Sequence, residues 1–200
     1  MPTIDPANLT KKEAYFLVTS LYVPRPIAFI GTQDSSGNHN LAPFSYTMGV
    51  SSKPPLLMVS VGDKRGGEPK DTLRNIQTTG DYTINIVTEE ILHQMHRSAE
   101  ALPPELSEFE HVGLTPQECS KVKAPGVLES PITLEMQSRE ITRIDDAGCT
   151  LILGEVKLFH IDDAIYHDGR VDNSLLPAVG RLGYNRYAIV KDVIDMAGRS

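Results

Sequence analysis

The run "HNLAPFSYTMGVSSKPPLLMVSV", His39 to Val61, decides the fold of this chain. Its apolar and β-branched residues read as strand, yet Pro43 falls directly after Asn40-Leu41-Ala42. Proline has no ladder donor and is kept to strand edges, strand starts and bulges. The strand is therefore expected to break at Pro43. Ser45, Thr47, Ser51 and Ser52 then alternate with apolar residues, lining the break with hydroxyls. A second strand is read through this passage and a third over 56–61, after Pro54-Pro55.

On the N-terminal side, Thr10-Lys11-Lys12-Glu13 has capping-box spacing ahead of "AYFLV", which predicts a helix over 11–20. "IAFIGT" predicts a strand from Ile27 to Thr32, and "QDSSGN" supplies turn chemistry. On the other side, "GDKRGGEP" is a loop, and "KDTLRNIQTT" a helix starting near Lys70 with Leu73 and Ile76 on one face. A strand over 82–87 and a helix over 89–98 follow. Residues 99–126, with Pro103, Pro104, Pro116 and Pro125, read as a long excursion with short strands. Two long strands flank Asp145-Asp146-Ala147-Gly148 in a hairpin pattern, and "RYAIV" near the end is expected to close the set. The chain is thus mainly β with short helices, which points to a β-barrel with helical decoration. Strict β-α-β alternation is missing, which disfavours a doubly wound sheet.

The length of 200 residues, 40% hydrophobic, suits a single domain over 1–200. Cys119 and Cys149 form neither a disulfide framework nor a C-x-x-C pair, and are expected as buried small hydrophobes in a reducing compartment. No charged-then-apolar leader is seen and no apolar run approaches the ~20 residues of a membrane span, so the expected location is cytoplasmic. The net charge of -7 argues against a nucleic-acid or anionic-membrane surface. Any phosphate must be held by a local cluster.

Glu90–His93 and Glu108–His111 share the Glu-x-x-His spacing of di-iron bundles, but the four long helices such a site needs are absent. His93 and His96 lack a third ligand. No metal is expected. There is no Gly-x-Ser-x-Gly elbow, and "GDKRGGEPK" has neither Walker nor Gly-x-Gly-x-x-Gly order. It does gather Lys64, Arg65 and Lys70 ahead of a helix whose first turn holds Asp71 and Thr72. A helix N-terminus offers free N–H groups and a positive dipole end. Two readings stand at this point: an anion site, or a plain helix cap.

Over residues 24–86 the chain resembles the flavin-reductase-like family of FMN-binding split barrels, and more loosely over 12–190. The resemblance rests on Arg25-Pro26, Thr32, Gly37-x-x-Asn40-x-Ala42-Pro43-Phe44-Ser45, Pro54-Pro55, and Lys70-Asp71-Thr72 with Asn75-Ile76 behind it. It implies an FMN-binding split β-barrel, assembled as a homodimer with flavin near the subunit interface. It also implies that Asn40, Ala42, Pro43, Phe44 and Ser45 lie against the flavin, and that Thr32, Ser51, Lys70 and Thr72 hold its phosphate, with Asp71 at the same helix start. Arg25 either holds the ring-side loop or pairs with a carboxylate. Where the family tends to show Gly-Gly before a tyrosine, this chain has Gly183-Tyr184.

The implied activity is reduction of FMN, or FAD, by NADH or NADPH, with electrons passed to an acceptor or a partner monooxygenase. A tightly bound FMN electron carrier and a flavin-binding module without turnover are the alternatives. No catalytic acid or base is identified; His160 is the histidine to watch.

Overall fold

A computed structural model describes residues 1–102 and 106–196. The proposed capping box forms: the Thr10 hydroxyl accepts from the Glu13 N–H at 3.3 Å, and the Glu13 carboxylate accepts from the Thr10 N–H at 2.8 Å. It starts helix α1, Lys11–Leu21. Strands β1 (Ala28–Gln33), β2 (His39–Phe44), β3 (Thr47–Ser52) and β4 (Pro55–Gly62) follow, then helix α2 (Asp71–Thr79) and β5 (Asp81–Ile86). The helix expected over 89–98 is divided into a 3-10 turn, Glu89–Ile91, and α3, Leu92–Arg97.

The excursion departs from expectation. Among its described residues is a helix, α4 (Glu108–Val112), started by Ser107 and stopped by Gly113 at φ 73°. Its buried residues, Phe109 and Val112, are too few for a helical period to show in the sequence. Pro103 and Pro104 lie outside the described residues. Short strands β6 (Pro116–Gln117) and β7 (Gly126–Val127) pair with each other. The long hairpin is β8 (Ile132–Ile144) and β9 (Cys149–Ile161). The small pairs β10–β11 (Tyr166–His167, Arg170–Val171) and β12–β13 (Val179–Arg181, Tyr187–Ile189) come last. "RYAIV" therefore does not close the barrel; its strand pairs with β12 alone.

Seven strands form one antiparallel sheet in the order β2-β1-β5-β8-β9-β4-β3. The sheet curls until Phe44 of β2 and Val59 of β4 share one core with Ala28, Ile30, Tyr82, Ile84, Met136 and Ile152. A hydrogen bond of 2.8 Å from the Ser60 N–H to the Tyr46 carbonyl ties the β2–β3 connection to β4. Leu73 and Ile76 bring α2 into that same core. Alternate residues face the other way: Phe29 and Leu41 pack with Met95, Phe109, Val112 and Val179 beneath α3 and α4. Gly154 on β9 is fixed by this packing, since a Cβ there would collide with the Tyr82 hydroxyl.

The strand break is not at Pro43. β2 runs through it to Phe44, with Pro43 opposite Phe29. The Leu41 N–H points away from β1 and donates to the Glu108 carboxylate at 3.1 Å. Period two turns the Pro43 nitrogen the same way, so its missing donor removes no ladder bond. The chain leaves the strand at Ser45-Tyr46 instead.

Candidate functional site

Where β1, β2 and α2 meet, the sequence-predicted residues interlock. Thr32 and Asn40 are register partners. Asn75 of α2 donates to the Thr32 hydroxyl at 3.1 Å, and Asn40 donates to the Thr72 hydroxyl at 3.0 Å. Thr32 and Thr72 are both buried. These bonds fix the start of α2 over the barrel end.

That helix start has no side-chain cap; Lys70 occupies the capping position. The Lys70 ammonium lies 5.3 Å from the centroid of the Phe44 ring. Burial, then the neighbouring charge of Lys64, push its pKa below the ordinary lysine value. The Asp71 carboxylate is held by Lys64 at 2.8 Å and by Arg74. A cavity of about 400 Å³ opens beside this start, lined by Asn40, Lys64, Asp71, Arg74, Asn75 and Glu108 among others. Main-chain donors without a partner among the described residues, a partly dehydrated lysine and adjoining space fit a phosphate-bearing ligand. Lys70 and the main-chain N–H groups of Asp71 and Thr72 are the groups that could hold it. The enclosed Thr72 side chain serves first as Asn40's partner.

Strand alternation divides the remaining residues of the predicted set. Asn40, Ala42 and Phe44 face the barrel core side, whereas Pro43 faces the helical layer. Pro43, Phe44 and Ser45 line a second cavity, of about 260 Å³, with Tyr15, His96, Arg181 and Tyr187. Arg25 is buried and, among the described residues, meets no carboxylate. Its guanidinium donates to the carbonyls of Thr19, Tyr22 and Leu182, and to the Ser45 hydroxyl at 3.5 Å. It thereby joins the C-terminal end of α1 to the turn where β2 ends, which fits the loop-holding alternative. Ser51 is exposed on β3 and accepts from the Lys53 N–H; no described contact joins it to the Thr32–Asn40–Thr72 group.

Sequence reasoning passed over Arg181 and Tyr187 at the second cavity and weighed His96 only as a metal ligand. Arg181 donates to the Tyr187 hydroxyl, and that hydroxyl lies 2.8 Å from His96 Nδ1. Burial raises the Tyr187 pKa, outweighing Arg181, so the phenol keeps its proton. Arg181 donates into its oxygen, and Tyr187 and His96 Nδ1 share a further hydrogen bond. The one signal was "VGRLGYNRY", which holds Arg181 and Tyr187. The Gly183-Tyr184 turn packs on α1: Tyr184 stacks on Phe16 at 4.8 Å, and a Cβ on Gly183 would collide with Ser20 Oγ.

Glu108–His111 lies on α4 and not in a loop, with Glu108 bonded to β2. The two cysteines are free and half-buried, less enclosed than expected.

Known proteins share this fold. Residues 20–174 match the family described as flavin reductase like domain. An uncharacterized protein of Halalkalibacterium halodurans is 37% identical over 188 residues, which cover 92% of this chain and 90% of that protein. The crystal structure of nitrilotriacetate monooxygenase component B from Bacillus cereus superposes with a TM-score of 0.92 at 34% identity, covering 98% of each chain. A split barrel domain protein of Shewanella frigidimarina superposes with a TM-score of 0.85 at 29% identity, covering 96% of each. A mainly β split barrel, an uncapped helix start beside a desolvated lysine, and a match over most of the length lead to one assignment: the chain belongs to the flavin reductase-like domain family, whose fold is a split barrel and whose cofactor is a flavin.

Proposed function

We propose that this protein binds FMN and reduces it with NADH or NADPH, releasing electrons to a separate acceptor such as a partner monooxygenase. The observation that carries the reading is the uncapped start of α2, with Lys70 beside it, in a chain of this family. The full-length likeness to a monooxygenase component B supports a partner of that class.

A bound flavin supplies the redox chemistry, taking a hydride and giving up electrons. The protein's task is to bind and orient. Lys70 and the α2 N–H groups would hold the phosphate; Asn40 and Asn75 keep that helix start in place. Phe44, Pro43 and Ser45 offer an apolar wall with main-chain groups at its end, and Arg25 fixes that wall by its bonds to three carbonyls and Ser45. Tyr187, held by Arg181 and His96, closes the neighbouring cavity with a protonated hydroxyl. None of these steps requires a side-chain acid or base.

The protein acts as a homodimer in this reading, with part of each flavin pocket supplied by the second subunit. Exposed Tyr15, Val18 and Leu21 on α1, Tyr46, and Met48 and Val50 on β3 provide apolar surface for such contact. Among the described residues no helix is long and apolar enough to cross a membrane. Free cysteines suit the cytoplasm.

Steady-state oxidation of NADH or NADPH with excess FMN tests the activity. Many turnovers of added FMN are expected. A single reduction of protein-bound FMN identifies a carrier instead, and no reduction of either kind refutes the assignment.

A further inference from the structure

Away from the residues assigned to the flavin, three ligand-type side chains converge from separate parts of the chain. Cys119 lies between β6 and β7, Glu135 on β8 and His160 on β9. Their Sγ, carboxylate oxygen and ring nitrogen lie within 4.8 Å of one another. The register explains the pairing of the last two: His160 is opposite Thr133, so Glu135, two residues along, is its diagonal neighbour on the same face.

Glu135 is fully buried yet bound on all sides. Its Oε1 accepts from the Ser120 N–H at 2.9 Å and lies 2.5 Å from His160 Nε2; its Oε2 accepts from the N–H groups of Lys121 and Val122. Main-chain donors thus fix the carboxylate, and only the position facing His160 is open to exchange. His160 is one-third exposed, which leaves a path from solvent. A cysteine–histidine pair suggests a nucleophile first. Burial and then the charge of Glu135 push the Cys119 thiol up to about 11, which leaves it protonated and unreactive at neutral pH. His160, moreover, is engaged with Glu135.

We propose that Cys119, Glu135 and His160 form a Zn²⁺ site, with water in the fourth position. Thiolate, imidazole and carboxylate together select Zn²⁺ over hard cations. Bond lengths of about 2.0–2.3 Å place tetrahedral ligand atoms roughly 3–4 Å apart, within reach by small side-chain rotations. Zn²⁺ takes the place of the proton between His160 Nε2 and Glu135, which moves to Nδ1 of the same ring, and the Cys119 thiol releases its proton to solvent. Bound there, it clamps the segment carrying Cys119 onto the β8–β9 hairpin.

Co²⁺ gives the direct test, because a thiolate ligand produces a near-ultraviolet charge-transfer band. Reduced, tag-free protein is titrated with Co²⁺ and then with Zn²⁺. The expected result is a single equivalent of Co²⁺ with that band, removed by competing Zn²⁺. Cys119→Ser is expected to abolish the band, and His160→Gln to weaken binding by more than the roughly 10- to 100-fold typical of losing an outer-shell partner. Zn²⁺ should raise the melting temperature of wild type and not of Cys119→Ser. Saturation with Co²⁺ without the band, or equal affinity in wild type and both variants, overturns the site. Because each variant changes a different ligand, misfolding of one leaves the other decisive.

Discussion

Lys70 shows how one residue is placed by its neighbours. Its ammonium is partly stripped of water over Phe44, beside a helix start that no side chain caps. In the proposed reading a phosphate there would restore what burial removes. Charge-assisted hydrogen bonds contribute about 1.5–3 kcal/mol, so Lys70→Ala is expected to weaken FMN about 10- to 150-fold. Riboflavin, which lacks the phosphate, should be nearly unaffected; titrating both flavins into wild type and variant checks this. Thr72→Val differs, because Thr72 is enclosed and accepts from Asn40. Leaving that amide unpaired should lower stability by about 1–3 kcal/mol, measured by urea unfolding. Lys70 was legible in the sequence, since charge ahead of a helix start is a local pattern. Arg25's choice between a loop and a carboxylate was not. Of its partners, Thr19 and Tyr22 are local, but Ser45 and Leu182 come from segments that only the fold brings together.

At the scale of elements, the β8–β9 hairpin carries the clearest pH dependence. Arg143 on β8 grips both oxygens of Asp63, just beyond β4, each at 2.7 Å, and its Nε lies 3.2 Å from Asp145 in the hairpin turn. The bonds from Arg143 hold Asp63 below its ordinary value of 3.8. A depressed carboxylate stabilises the fold above its unfolded pKa and loses that contribution as pH falls through the folded one. The melting-temperature gap between wild type and Arg143→Met should therefore be present at neutral pH and shrink as pH falls below 3.8. A gap that is constant with pH would mean the pair contributes nothing. The hairpin was readable because Asp145-Asp146-Ala147-Gly148 separates two long β-patterned runs. α4 was not: five residues give too little period, and its place is set by Phe109 and Val112 meeting the outer face of β2.

For the whole molecule, local signals named most strands but not how they close. The curl that brings β2 to β4 depends on contacts between segments far apart in the sheet order, with Tyr46 as the tie. The residue pattern at 39–45 was recognisable, whereas its two ends line different cavities, His39 and Asn40 one and Pro43, Phe44 and Ser45 the other, which no motif states. Assembly is testable directly. Light scattering is expected to give about twice the 22.0 kDa of one chain, and Val50→Lys, on the exposed apolar surface of β3, should shift the population to monomer. A flavin-saturated monomer of wild type would rule out the shared pocket.

β2 ends the sheet, and an uncovered sheet edge is a template on which other chains can add strands. Two features described for other reasons block that growth here. Pro43 offers no outward donor, and the Glu108 carboxylate occupies the outward N–H of Leu41. Glu108→Ala removes the second guard while leaving every ladder bond between β1 and β2 intact. A concentrated solution of that variant should acquire thioflavin-positive aggregates that wild type resists. The proline that first looked like an interruption of the strand, and the glutamate that opens α4, together leave this edge without an outward donor at Leu41 and Pro43.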